Sequence, residues 1–126
     1  MGIVGTRKRD TEEDFWIVED AYIQFEHKHP DDEIIIVSGG CKQGADRFAE
    51  KIISKYRLDK RIFEPEKQPN MSYIEFTKAC YSRNYDIAML SDYLIACVDK
   101  LHRKGGTENT IDNFVKMGKG EKLILV

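Results

Sequence analysis

Short apolar runs recur along the chain and alternate with longer stretches of mixed character. The runs at residues 34–37 and 93–98 are continuous rather than alternating, which is typical of strands that are buried on both faces of a parallel sheet. Weaker runs at residues 3–4, 62–63 and 123–126 complete a predicted set of five strands.

Four stretches between these runs carry helical periodicity. Two helices are predicted over residues 11–28 and 45–56, where apolar side chains recur three or four positions apart. A capping-box pattern at residues 72–75 opens a third helix that reaches about residue 90. The fourth is predicted over residues 107–116, with Gly118 as its C-terminal stop.

Strands and helices therefore alternate along the whole sequence, and residues 1–126 are long enough for one core. This order predicts a single α/β domain with a doubly wound, Rossmann-like fold. We expect a mainly parallel five-stranded sheet with right-handed crossovers and helices on both faces.

Composition narrows the function classes. The formal net charge of −2 argues against a nucleic-acid partner, because phosphate contacts favour a basic excess. No apolar stretch is long enough for a membrane helix, and three cysteines without CxxC spacing fit reduced thiols in a cytoplasmic protein. The histidines lack further ligands at zinc spacing, so neither a metal nor a resident cofactor is predicted.

Three glycine-bearing loops follow predicted strands, at residues 5–7, 38–46 and 104–107, and the last two lead directly into helices. In a doubly wound sheet, ligands bind beyond the carboxyl ends of the strands, near the point where the strand order reverses. We therefore expect these loops to meet at one site.

The loops have the composition of a phosphate-binding site. Glycine lets the backbone approach a ligand closely, and the N–H groups at the start of a following helix attract an anion. The predicted ligand-binding residues of the loops are Gly5, Thr6, Arg7, Ser38, Gly39, Gly40, Gly44, Gly105, Gly106 and Thr107. Their spacing matches neither the GxGxxG fingerprint nor a P-loop, and a tight turn without a ligand is the alternative for each loop.

Three polar residues near these loops have two interpretations each. Arg83 is either a surface cation or a ligand-binding residue whose planar guanidinium binds a phosphate. It lies on a predicted helix whose apolar residues Ile74, Phe76 and Cys80 are expected to pack. Asn84 either binds a ribose hydroxyl or caps a loop. Asp46 either binds a ribose hydroxyl or, without any ligand, stabilises the start of its helix by interacting with the helix dipole.

The combination of motifs resembles the SLOG superfamily over nearly the whole chain. The motifs are Gly-x-Arg at residues 5–7, Val-Ser-Gly-Gly-x-x-x-Gly-Ala-Asp-Arg at residues 37–47, Arg83-Asn84 and Gly105-Gly106-Thr107. The nearest resemblance is to small, YspA-like members of uncharacterised function. It implies a Rossmann-like domain that binds a nucleotide or a nucleotide-derived small molecule, often as a homodimer.

The superfamily also contains DprA and the LOG phosphoribohydrolases, which release bases from ribose 5′-phosphates. By this resemblance the alternative function is an N-glycosidic hydrolase of nucleoside 5′-monophosphates, with Glu108 as the acid or nucleophile and Arg83 holding the phosphate. Thr110 stands where the catalytic glutamate of LOG enzymes falls, and the only nearby acid, Glu108, directly follows Thr107. This departure puts hydrolysis in doubt, because a catalytic carboxylate must reach the ribose or a water.

Overall fold

Five parallel strands form the centre of the computed structural model, which describes residues 1–126. They are β1 (Gly2–Gly5), β2 (Ile35–Ser38), β3 (Asp59–Ile62), β4 (Leu94–Cys97) and β5 (Leu123–Leu125). Their order is β3-β2-β1-β4-β5 and every pair is parallel. The predicted parallel sheet is confirmed, and its strand order reverses between β1 and β4.

Four α-helices connect the strands. They are α1 (Glu12–Lys28), α2 (Ala45–Tyr56), α3 (Tyr73–Leu90) and α4 (Gly106–Phe114). A π-helical turn over Val115–Lys119 and a 3₁₀ turn over Gly120–Lys122 join α4 to β5. Gly118 interrupts the π-helical turn with a φ of 80°. The C-terminal stop of the helix that the sequence predicted at Gly118 therefore lies just beyond the end of α4. None of the helices has both the length and the apolar character that a membrane span requires.

Helices cover both faces of the sheet, as predicted. The face under α1 and α2 is built from alternate strand residues Ile3, Ile36, Ile95 and Cys97 and from the helical side chains Phe15, Val18, Tyr22, Phe25, Phe48 and Ile52. The face under α3 and α4 holds Val4, Val37, Leu94, Ala96 and Val98 with Ile87, Ala88, Ile111 and Phe114. The alternation follows from the two-residue period of a strand.

Strand β3 begins earlier than its apolar residues predict. The sequence placed it at residues 62–63, whereas the strand spans Asp59–Ile62 and its first three residues are exposed. β3 is an edge strand, and charged side chains are favoured on edge strands because they discourage pairing with other chains. Hydrophobicity therefore indicated this strand but missed its first three residues.

Helix α3 is more exposed than the sequence suggested. Ile74 is 66% exposed and Phe76 is 36% exposed, so the expected packing of these two side chains is wrong. The buried residues of α3 lie in its second half, at Asn84, Ile87 and Ala88. The first half of α3 therefore contributes little to the core.

Candidate functional site

A cleft of about 360 Å³ opens at the carboxyl edge of the sheet. It lies at the point between β1 and β4 where the strand order reverses. All three glycine loops line it. The predicted residues that line the cleft are Gly5, Thr6, Arg7, Gly39, Asp46, Arg83, Asn84, Gly105, Gly106 and Thr107. Ser38, Gly40, Gly44 and Glu108 lie outside its lining.

The start of α4 presents free backbone donors to this cleft. The first intrahelical bond runs from the Asn109 N–H to the Gly105 carbonyl oxygen, so the N–H groups of Gly106, Thr107 and Glu108 have no acceptor within the helix. No side chain caps α4, whose N-cap Gly105 has φ 94° and ψ −157°. By contrast, Thr11 caps α1 and Ser72 caps α3 through side-chain oxygens.

The loop between β2 and α2 is already organised by Asp46. One carboxylate oxygen of Asp46 accepts from the Ser38 hydroxyl (3.1 Å) and the Gly39 N–H (3.4 Å), and the other accepts from the Cys41 N–H (2.9 Å). Ser38 is fully buried. The carboxylate therefore occupies two amides that a phosphate would need, and Asp46 has a structural role in this loop.

Gly44 is held by a second carboxylate. Its N–H donates to Asp10 Oδ1 (2.7 Å), which also accepts from Arg47 Nε (2.9 Å). The Gly44 N–H, and next the Arg47 guanidinium, keep the pKa of Asp10 below its usual value. A Cβ at Gly44 would lie 2.8 Å from the Thr6 carbonyl oxygen. This glycine therefore lets the first two loops touch.

Gly40 serves the local backbone rather than the cleft. Its φ is 76°, and an added Cβ would lie 2.9 Å from side-chain atoms of Ile62 and Glu64. The positive φ and this close contact explain the second glycine of the pair.

Arg83 and Asn84 are tied to both sides of the cleft. Arg83 Nη1 donates to the carbonyl oxygens of Gly39 (2.8 Å) and Phe63 (3.3 Å), and its Nε donates to Asn84 Oδ1 (3.0 Å). Asn84 Nδ2 donates to the Gly106 carbonyl oxygen (3.3 Å) and to Asn109 Oδ1 (3.2 Å). Both polar atoms of the buried Asn84 side chain therefore have protein partners, and both Nδ2 hydrogens are used within the protein.

Glu108 lines a small recess next to the cleft, and the two share Thr6, Lys104 and Thr107. Both of its carboxylate oxygens accept from Arg103, through Nε and Nη2, and this hydrogen bond raises the pKa of Arg103. The Glu108 carboxylate is therefore held in an ion pair with Arg103 beside the cleft.

The cleft is positively charged in a chain with a net charge of −2. Arg7, Lys8, Arg83 and Lys104 line it, whereas its only carboxylate is Asp46, which is bonded to three donors. Lys8 and Lys104 were missed as site residues, together with Gln43, Cys41 and Thr110. They are neighbours of the predicted motifs, but an isolated polar residue in a loop, or within a helix as at Thr110, carries no signal that separates it from residues without a ligand.

No protein-family model, curated protein or solved structure matches the chain. No group of three histidine, cysteine or acidic side chains in residues 1–126 is arranged to hold a metal ion. The fold and the cleft define the class of protein. It is a doubly wound parallel α/β protein with a basic cleft at the point where its strand order reverses.

Proposed function

We propose that the chain binds a nucleotide or a nucleotide-derived ligand, with one phosphate at the start of α4. The observation that carries the proposal is the uncapped N-terminus of α4 at the rim of a basic cleft. Free N–H groups, the helix dipole and cationic side chains all favour an anion at this position. The Thr107 hydroxyl adds a further donor that suits a phosphate oxygen.

The size of the cleft favours a compact ligand. Its volume of about 360 Å³ is near the lower end of the range for small-molecule sites. The glycine loop after β2 contributes shape more than donors, because Asp46 occupies the Gly39 and Cys41 amides. We therefore assign the phosphate to the loop at residues 105–107 and the rest of the ligand to the space toward Gly39 and Arg7.

Isothermal titration of adenosine 5′-monophosphate, ADP and cyclic ADP-ribose tests this proposal. We expect saturable binding of at least one of them, weakened about three- to tenfold by Lys104→Gln, because one cation near the phosphate is lost. Lys116→Gln is the matched control, since Lys116 is an exposed cation outside the cleft. Absence of heat across the panel, or equal weakening by both variants, would overturn the proposal.

We also propose that two copies of the chain pair through α3. Ile74, Tyr81, Tyr85 and Met89 are each about half exposed or more, and their spacing puts them on one helical stripe with Lys78. At about 200 Å² for a large side chain, they offer roughly 400 Å² of apolar surface. That supplies about half of the roughly 800 Å² per partner in a standard interface, which is just over half apolar.

The stripe is complementary to itself when two α3 helices run antiparallel. A two-fold axis beside Tyr81 brings Ile74 against Met89 of the partner subunit and Lys78 against Tyr85 of the partner subunit. The first pair buries apolar surface, and the second places an ammonium group over an aromatic ring. An isologous contact of this kind closes as a dimer.

A further inference from the structure

A continuous hydrogen-bonded path runs beneath the cleft from the end of β3 to the start of α4. The Arg83 guanidinium donates to the carbonyl oxygens of Phe63 and Gly39 and to the side-chain oxygen of Asn84. The side-chain nitrogen of Asn84 in turn donates to the Gly106 carbonyl oxygen. Arg83 and Asn84 are adjacent on α3, so both anchors move with one rigid helix.

The partners of Asn84 fix the orientation of its amide. Because Oδ1 accepts from Arg83 Nε, Nδ2 must point toward α4, where it donates to Gly106 and Asn109. The Gly106 carbonyl oxygen also accepts from the Thr110 hydroxyl (3.1 Å) of its own helix. Asn84 is thus the side chain by which another helix holds this carbonyl.

The direction of the Gly106 carbonyl decides the direction of a donor. In a trans peptide the C=O and the following N–H point in opposite directions, so holding the Gly106 oxygen also aims the Thr107 N–H. That N–H is one of the three unpaired donors at the start of α4. At the other end of the path, an added Cβ on Gly39 would lie 2.6 Å from Arg83 Nη1, so glycine at this position admits the guanidinium.

From this geometry we propose that Arg83 and Asn84 are positioning residues. They set the spacing of the two glycine loops and the aim of the Thr107 N–H, and Arg83 acts on α4 only through Asn84. The consequence for ligand affinity rests on the proposed function above, whereas the coupling between the loops exists in the free protein.

The coupling is tested in the ligand-free protein with Arg83→Lys and Asn84→Ala, alone and combined. Lysine has neither the Nε–H that donates to Asn84 nor the planar fork that joins Asn84 to Gly39, so we expect Arg83→Lys to shift the ¹⁵N–¹H resonance of Thr107. In the Asn84→Ala background the same substitution should add nothing at Thr107. Unchanged Thr107 signals in Arg83→Lys, or effects that simply add, would overturn the proposal.

A second variant keeps the test decisive even if Arg83→Lys fails to fold. Asn84→Asp retains an acceptor for Arg83 but puts a carboxylate oxygen against the Gly106 carbonyl. We expect the Thr107 signals to be displaced near neutral pH and to return toward wild type as the introduced carboxyl is protonated and regains a donor. A displacement that does not depend on pH would refute the role of the Asn84 donor.

The control and the binding readout separate this proposal from the proposed function. Lys116→Gln removes an exposed cation that lies outside the cleft and outside α3, and it should leave the Thr107 amide unchanged. With adenosine 5′-monophosphate as the probe, Arg83→Lys and Asn84→Ala should each weaken binding about tenfold. If wild type binds no probe while the Thr107 response still follows the double-mutant cycle, the proposed function fails and the positioning role stands.

Discussion

Carboxylates around the cleft differ in what they are bonded to, and those bonds define their roles. Asp46 holds the loop after β2, Asp10 holds Gly44, and Glu108 pairs with Arg103. The sequence placed Asp46 and Glu108 correctly near helix starts, but it could not assign their partners. Arg103 is five residues from Glu108, while Asp10 is 34 residues from Gly44, and contacts of the second kind leave no local pattern.

Glu108→Gln distinguishes binding from hydrolysis at the level of one residue. The substitution removes a negative charge from the first turn of α4 and frees Arg103. We therefore expect adenosine 5′-monophosphate to bind up to about tenfold more tightly at low ionic strength, with a smaller gain at high salt. Neither protein should release adenine. Chromatographic detection of free adenine that the wild type forms and Glu108→Gln does not would instead establish the hydrolase alternative.

Helix starts at the carboxyl edge are of two kinds. α1 and α3 begin with side-chain caps from Thr11 and Ser72, whereas α2 and α4 begin at Gly44 and Gly105 with positive φ angles. The sequence predicted all four helices, because caps, glycines and apolar periodicity agree there. It predicted β2 and β4 equally well from continuous apolar runs. β3 was misplaced because its register is set by pairing with β2 and not by its own charged side chains.

A matched pair of substitutions separates backbone strain from close approach at these two glycines. Gly105→Ala should destabilise the protein by about 1–3 kcal/mol, the cost of a non-glycine residue in this backbone region. Nothing lies within 4 Å of the added Cβ. Gly44→Ala should cost more, because its Cβ would also meet the Thr6 carbonyl oxygen at 2.8 Å.

Urea unfolding of both variants measures the difference between these glycines. The two midpoints are comparable if the denaturant slopes remain equal. A loss of stability that is the same for both variants, or larger for Gly105→Ala, would contradict the importance of the contact between the first two loops.

Across the whole molecule, α3 serves both the cleft and the exposed stripe, through different faces of the same helix. Arg83 and Asn84 face the cleft, while Tyr81 and Tyr85 are exposed. The sequence predicted that the three glycine loops meet, because parallel strands deliver their loops to one edge. It could not predict the stripe, since exposed and buried apolar residues look alike until the neighbouring elements are placed.

The oligomeric state of the protein tests whether the exposed stripe of α3 forms the proposed dimer contact. We expect the wild type to sediment as a dimer and Tyr81→Glu to sediment as a monomer with an unchanged circular dichroism spectrum, because a charge at the centre of the interface is desolvated. Trp16→Glu is the control, since Trp16 is a half-exposed aromatic on α1, on the opposite face of the sheet. A monomeric wild type, or a dimer broken by Trp16→Glu but not by Tyr81→Glu, would exclude the proposed contact.

The backbone at Gly105 has a further consequence for chemical synthesis. Its φ of 94° and ψ of −157° are the mirror image of an ordinary extended conformation, so a residue of D configuration adopts them without strain. D-alanine introduced there by peptide ligation would restrict the unfolded chain while retaining the folded geometry. The loop that precedes α4 can thus be stiffened by inverting the handedness of one residue, which no gene-encoded substitution achieves.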